Sequence, residues 1–140
     1  MMNYFLKIAS VLILINWGAM DQNKDAEKVI DQSISIQNLS KKWKLDKYQY
    51  EEYTETPSDL EKNDFLHLKS DLTFSSITEG NVENGQWRLD VKEKRIFLFQ
   101  KGVEGEMALI IHDLSVQQLV MSIDDPTDEE TRKLKIYYKN

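Results

Sequence analysis

Beyond Leu39 the chain alternates apolar and polar residues in short runs, broken by Gly, Asn, Asp and Pro about every eight to twelve residues. A two-residue period sends successive side chains to opposite faces of a strand, so one face is apolar and the other wetted. The pattern predicts strands near 41–53, 64–70, 72–78, 85–91, 94–100, 105–112, 118–124 and 131–138. Between them lie KSD before Leu72, EGNVENG over Glu79–Gly85, VKEK over Val91–Lys94, KGVEG over Lys101–Gly105 and DDPTDEE over Asp124–Glu130, all with turn chemistry. Connections this short pair neighbours in sequence as neighbours in space.

The expected fold is therefore all-β, an antiparallel up-and-down meander of about eight strands. No helical stretch long enough for a parallel crossover separates the strands. An open sheet of that size leaves two unpaired edges, and closure into a barrel removes both. A two-sheet sandwich is the rival arrangement.

Trp recurs in matching phrases, KKWKLD at Lys41–Asp46 and GQWRLD at Gly85–Asp90. In each, the indole and the leucine two residues on share a face while a cation and an aspartate share the other. The copies are too far apart for the two arms of one hairpin. Their spacing fits two barrel strands with two others between them, with internal duplication as the weaker alternative.

The first twenty residues differ from this pattern. Lys7 is followed by an apolar run from Ile8 to Trp17 and then by Gly18 and Ala19, the grammar of an export signal cut near Ala19 or Met20. The alternative is an uncleaved membrane anchor over residues 4–20. Residues 21–38 form a polar lead-in, in which Ala26, Val29, Ile30 and Ile34 fit one side of a short helix; SISIQ at Ser33–Gln37 also fits an extended segment. Residues 39–140 make the barrel domain.

Composition narrows the function. A net charge of −6, with no basic and aromatic cluster to offset it, excludes nucleic acid as the expected partner. Cysteine is absent, which removes disulfides, thiolate metal sites and cysteine nucleophiles.

LSKKWKL at Leu39–Leu45, FLHLKSDLTF at Phe65–Phe74, NGQWRL at Asn84–Leu89, RIFLF at Arg95–Phe99 and IIHDLSVQQLVMSI at Ile110–Ile123 appear in an order that resembles the lipocalin-like domains of small exported bacterial proteins. The resemblance spans nearly all of the exported part and implies a calycin-type barrel with room for a small ligand. Three features depart from it. Lys41 and Leu72 stand where the family often has glycine, and the cysteine that commonly carries a lipid anchor is missing.

Trp43, Leu45, Trp87, Leu89, Ile96, Leu98, Leu109, Leu119 and Met121 are the candidate lumen lining. The same side chains serve equally well as solid filling. Tyr48, Tyr50 and Tyr53, in YQYEEY, are the candidate rim contacts for a ligand or partner protein. His67 and His112, even with Asp71 or Asp113, show no metal-ligand spacing, and DDPTDEE lacks the glycine and alternate spacing of a calcium loop, so it reads as a solvated acidic hairpin. No metal or cofactor is expected.

Catalytic signatures are absent: there is no G-x-S-x-G, no H-E-x-x-H and no phosphate-cradling glycine loop, and Glu51 and Glu52 are read as pointing to opposite faces of a strand. The expectation is an exported, periplasmic or extracellular, non-catalytic protein holding a small hydrophobic molecule in its lumen. The alternative is a cell-envelope protein-interaction module with a fully packed barrel. Membrane contact is expected only through a retained N-terminal segment.

Overall fold

A computed structural model describes residues 33–140. The expected export signal, and the expected short helix around Ala26, Val29 and Ile30, lie outside the described residues. What the structure shows of the lead-in is one turn of helix, α1 (Ile36–Leu39), N-capped by the Ser35 side chain, which accepts from the Asn38 amide at 3.0 Å.

Nine strands follow: β1 (Lys42–Tyr50), β2 (Tyr53–Glu55), β3 (Phe65–Leu68), β4 (Thr73–Thr78), β5 (Asn81–Asp90), β6 (Arg95–Gln100), β7 (Met107–Leu114), β8 (Gln118–Ile123) and β9 (Leu134–Lys139). Every pairing is antiparallel, and β1 pairs with β9 from Lys44 to Tyr50, which closes β1 and β3–β9 into an eight-stranded barrel. The short β2 is an extra arm, hydrogen-bonded to the far end of β1. Closure decides between barrel and sandwich. β3 and β4 lie between β1 and β5, so the two tryptophan phrases stand two strands apart.

Four expectations are corrected. Residues 81–85 are strand rather than turn: Glu79 and Gly80 alone make the bend, with φ of 52° and 87°, the two-residue hairpin geometry whose twist matches the sheet. The expected start of the last strand is helical, because Asp128 caps α2 (Glu129–Lys133) by accepting from the Glu130 and Thr131 amides. Glu51 and Glu52 form the β1–β2 turn, with Glu51 at φ 54°, instead of alternating along a strand. DDPTDEE is a turn and helix start: Asp124 holds Arg95 at 2.8 Å and Arg132 at 3.0 Å, and Asp125 accepts from the Thr127 amide at 2.9 Å.

Bulges keep the alternation in phase with the interior. The register shifts between Leu45 and Lys47, so Leu45 and Tyr48 both turn inward, and again between Ile111 and Asp113, so Ile111 and Leu114 do the same. Gly85 is the tightest point of the wall. A Cβ there would lie 2.0 Å from the Phe99 carbonyl oxygen and 2.9 Å from the Phe74 ring.

The barrel has unlike ends. One carries α1 and the turns at 69–72, 91–94 and 115–117; the other carries the 56–64 loop, the Glu79–Gly80 turn, the 101–106 loop and the 124–133 connection. At the first end Leu39, Trp43, Trp87, Ile96 and Leu119 are buried to 2% exposure or less. Each indole N–H is satisfied: Trp43 donates to the Leu39 carbonyl and Trp87 to the Lys69 carbonyl, both at 2.9 Å. Lys41 completes this floor, its ammonium lying 5.3 Å from the Trp43 ring centroid and donating to the Val116 carbonyl at 3.2 Å. A buried indole removes on the order of 200 Å² from water, so the pair is a large share of the core.

Candidate functional site

The second end is hollow. A cavity of about 490 Å³ runs inward from the 56–64 and 101–106 loops, within the ~300–1,000 Å³ typical of small-molecule sites. Its deep wall is apolar: Leu45 from β1, Phe74 from β4, Leu98 from β6, Leu109 from β7, Ile123 from β8 and Ile136 from β9. Each is an inward position of the two-residue alternation, so the strand pattern that builds the barrel also builds the wall.

The candidate residues divide between the two ends. Leu45, Leu98 and Leu109 line the cavity, whereas Trp43, Trp87, Ile96, Leu119 and Met121 are packed solid beyond it, and Leu89 is half-buried against that packing. Among the three tyrosines, only Tyr53 is exposed in the manner of a rim contact. Tyr50 packs against the core and bonds the Glu130 carboxylate. Tyr48 is a correction: the bulge after Leu45 turns it into the barrel, where it is buried and lines the cavity.

Sequence reasoning missed the mouth. Glu61, Asp64, Glu79, Glu83, Glu104 and Glu106 line the cavity, and among the described residues no Lys, Arg or His does. They come from three separate connections and the start of β5, so no local motif could have announced them. Glu61 is fixed twice, accepting from the Tyr48 hydroxyl and the Ser58 amide, each at 3.0 Å. Asp64 is buried; its backbone carbonyl accepts from the Leu45 amide at 3.0 Å and its carboxylate from the Glu79 amide at 2.8 Å. Glu106 pairs weakly with Arg88 at 3.8 Å, on an exposed stretch of wall.

The electrostatic consequence is mutual repulsion in a partly dry space. Burial pushes the Asp64 carboxyl up to about 6, with the charges of Glu61 and Glu79 adding to the rise and the Glu79 amide opposing it. Glu55 is raised as well, by burial and then by Glu61. Tyr48 is held protonated by burial first and by Glu61 second. Tyr138 lines the same space from β9; burial raises its phenol, with the charge of Asp64 next. Tyr138 is half-buried, and its hydroxyl has no hydrogen-bond partner among the described residues.

Other chemistry does not gather here. His67 on β3 and His112 on β7 stay clear of the cavity, the latter hydrogen-bonded to the Ser122 hydroxyl at 2.8 Å. Among the described residues no three His, Asp or Glu side chains form a metal-binding cluster, and no helix is long and apolar enough to cross a membrane. Comparison of the chain with family models, curated proteins and solved structures gave no match.

Proposed function

We propose that the protein is an exported, lipocalin-like, non-catalytic carrier that holds a small hydrophobic molecule in the open half of its barrel. The carrying observation is the 490 Å³ cavity walled by Leu45, Phe74, Leu98, Leu109, Ile123 and Ile136. Burying an apolar ligand there gains ~25 cal/mol per Å² before the costs of association. A floor sealed by Trp43 and Trp87 supports a single mouth for uptake and release. The apolar run Ile8–Trp17 behind Lys7 supports export.

The test is titration of the purified protein with the neutral fluorescent probe N-phenyl-1-naphthylamine. The carrier reading expects saturable one-to-one binding, lost when Leu98→Trp fills the lumen while the far-ultraviolet circular dichroism is unchanged. No binding, or equal binding by the filled variant, refutes it. For export, N-terminal sequencing of the protein recovered from outside the cytoplasm is expected to begin close to Met20; recovery only as the full chain in the cytoplasm contradicts it.

A further inference from the structure

The lumen is shallow for its volume. Each strand contributes few inward positions to it: Leu45 and Tyr48 from β1, Leu98 and Gln100 from β6, Ile123 alone from β8. The next inward residue toward the closed end is packed solid, Trp43 below Leu45, Ile96 below Leu98 and Met121 below Ile123, each at 0% exposure. This floor is fixed as well as filled, because the Trp43 and Trp87 indoles both donate to backbone carbonyls at 2.9 Å.

Two inward positions are separated by ~7 Å along a strand, and barrel strands tilt by ~35–45°, so the cavity is about 8–12 Å deep with side-chain thickness and the loop collar included. At that depth its volume of about 490 Å³ corresponds to a cross-section of roughly 40–60 Å². An extended alkyl chain, with carbon contacts at ~4 Å, fills on the order of 20 Å² of it. Part of the breadth comes from Gly85. It stands opposite Phe74 of β4 and adds no side chain to the lumen, and the Phe74 ring lies back over it, in the space a Cβ would take.

We infer that the lumen takes a compact apolar molecule, branched or built of fused rings, in preference to an extended acyl chain. The inference rests on the carrier reading and names its ligand class. A chain gains ~1.2 Å per bond, so beyond about eight to ten carbons its end emerges at the mouth. Further methylenes then stay in water and add nothing to affinity. Folding the chain to use the breadth instead immobilises its rotatable bonds, at a cost in entropy. A ring system fills the same breadth with its bonds already fixed. The rings of Phe74, Tyr48 and Tyr138 line that space, and offset aromatic contact favours a flat or compact partner.

The experiment is isothermal titration calorimetry of the purified protein with two pairs of neutral alcohols, each below its solubility limit. Octan-1-ol and dodecan-1-ol differ in length; cyclohexanol and adamantan-1-ol differ in breadth. Each pair differs by the same number of carbons and keeps one hydroxyl. Where a lumen has room, every added methylene raises affinity by about fourfold, so the longer alcohol of the first pair would gain more than a hundredfold. The expected gain from octan-1-ol to dodecan-1-ol is below about tenfold, and that from cyclohexanol to adamantan-1-ol is about tenfold or more. A tenfold or larger gain with length, or a smaller one with breadth, overturns the shape selection and leaves the carrier reading standing. Failure of all the alcohols to bind overturns both.

Discussion

The Tyr48 hydroxyl donates to the Glu61 carboxylate at 3.0 Å, and this bond ties the 56–64 loop to the inner wall of β1. Tyr138 lies in the same cavity with a hydroxyl that has no partner among the described residues. The two phenols should therefore respond in opposite ways to loss of oxygen. Tyr48→Phe is expected to cost about 1.5–3 kcal/mol, the value of a hydrogen bond to a charged acceptor, and to speed amide exchange at Leu45, whose N–H is bonded to Asp64 at the loop's end. Tyr138→Phe is expected to leave stability unchanged or raise it. Urea denaturation of both variants checks the contrast.

Gly85 admits no side chain. The Phe99 carbonyl and the Phe74 ring occupy the space a Cβ needs, and the carbonyl belongs to the paired backbone of β6. Gly85→Ala should destabilise the barrel by about 2–4 kcal/mol through forced separation of β5 from β6. Thermal denaturation measures this directly, and a loss below half a kcal/mol, the size of an ordinary surface change, contradicts the packing described.

Leu72 has φ of 71° and is largely exposed. That backbone region costs a branched L-residue on the order of 1–2 kcal/mol, and its carbonyl still accepts from the Trp87 amide at 2.9 Å. Leu72→Gly keeps this bond, relieves the strain and should raise stability by up to about 1 kcal/mol. A lower midpoint in the same denaturation experiment contradicts it.

Asp64 makes stability depend on pH in a fixed direction. Its carboxyl lies at about 6 in the folded protein against 3.8 for the free group, so folding binds the proton more tightly. The stabilisation is complete below about pH 4 and is lost as pH rises through 6. Asp64→Asn should flatten the fall in unfolding free energy between pH 4 and pH 7 relative to the unaltered protein, measured by denaturant titration at each pH. An unchanged slope shows that Asp64 is not the group responsible.

The sequence disclosed the barrel because a two-residue period is a local signal. Alternation at Trp43–Leu45 and Trp87–Leu89 named the inner face correctly, and turn residues marked five of the connections. The difficulties came where position depends on distant chain. No local feature marks the bulge after Leu45 that carries Tyr48 from rim to interior, since it arises from pairing with β9. Glu79–Gly80 forms the whole β4–β5 turn because strand pairing continues through Asn81 to Gly85 despite its turn-like composition. The acidic mouth was hidden for the same reason, since Glu61, Asp64, Glu79 and Glu104 meet only when the cylinder closes. Leu72 is an instructive exception: it adopts the positive φ that a glycine takes so readily, so the turn survives the substitution at a cost in strain.

Methyl-resolved nuclear magnetic resonance of the protein titrated with decanol tests the half-plugged, half-open barrel most directly. The account predicts shifts confined to the methyls of Leu45, Leu98, Leu109, Ile123 and Ile136, with Leu39, Ile96 and Leu119 beyond the tryptophan floor unmoved. Still lumen methyls, or changes confined to outward residues such as Val82 and Val91, would contradict it.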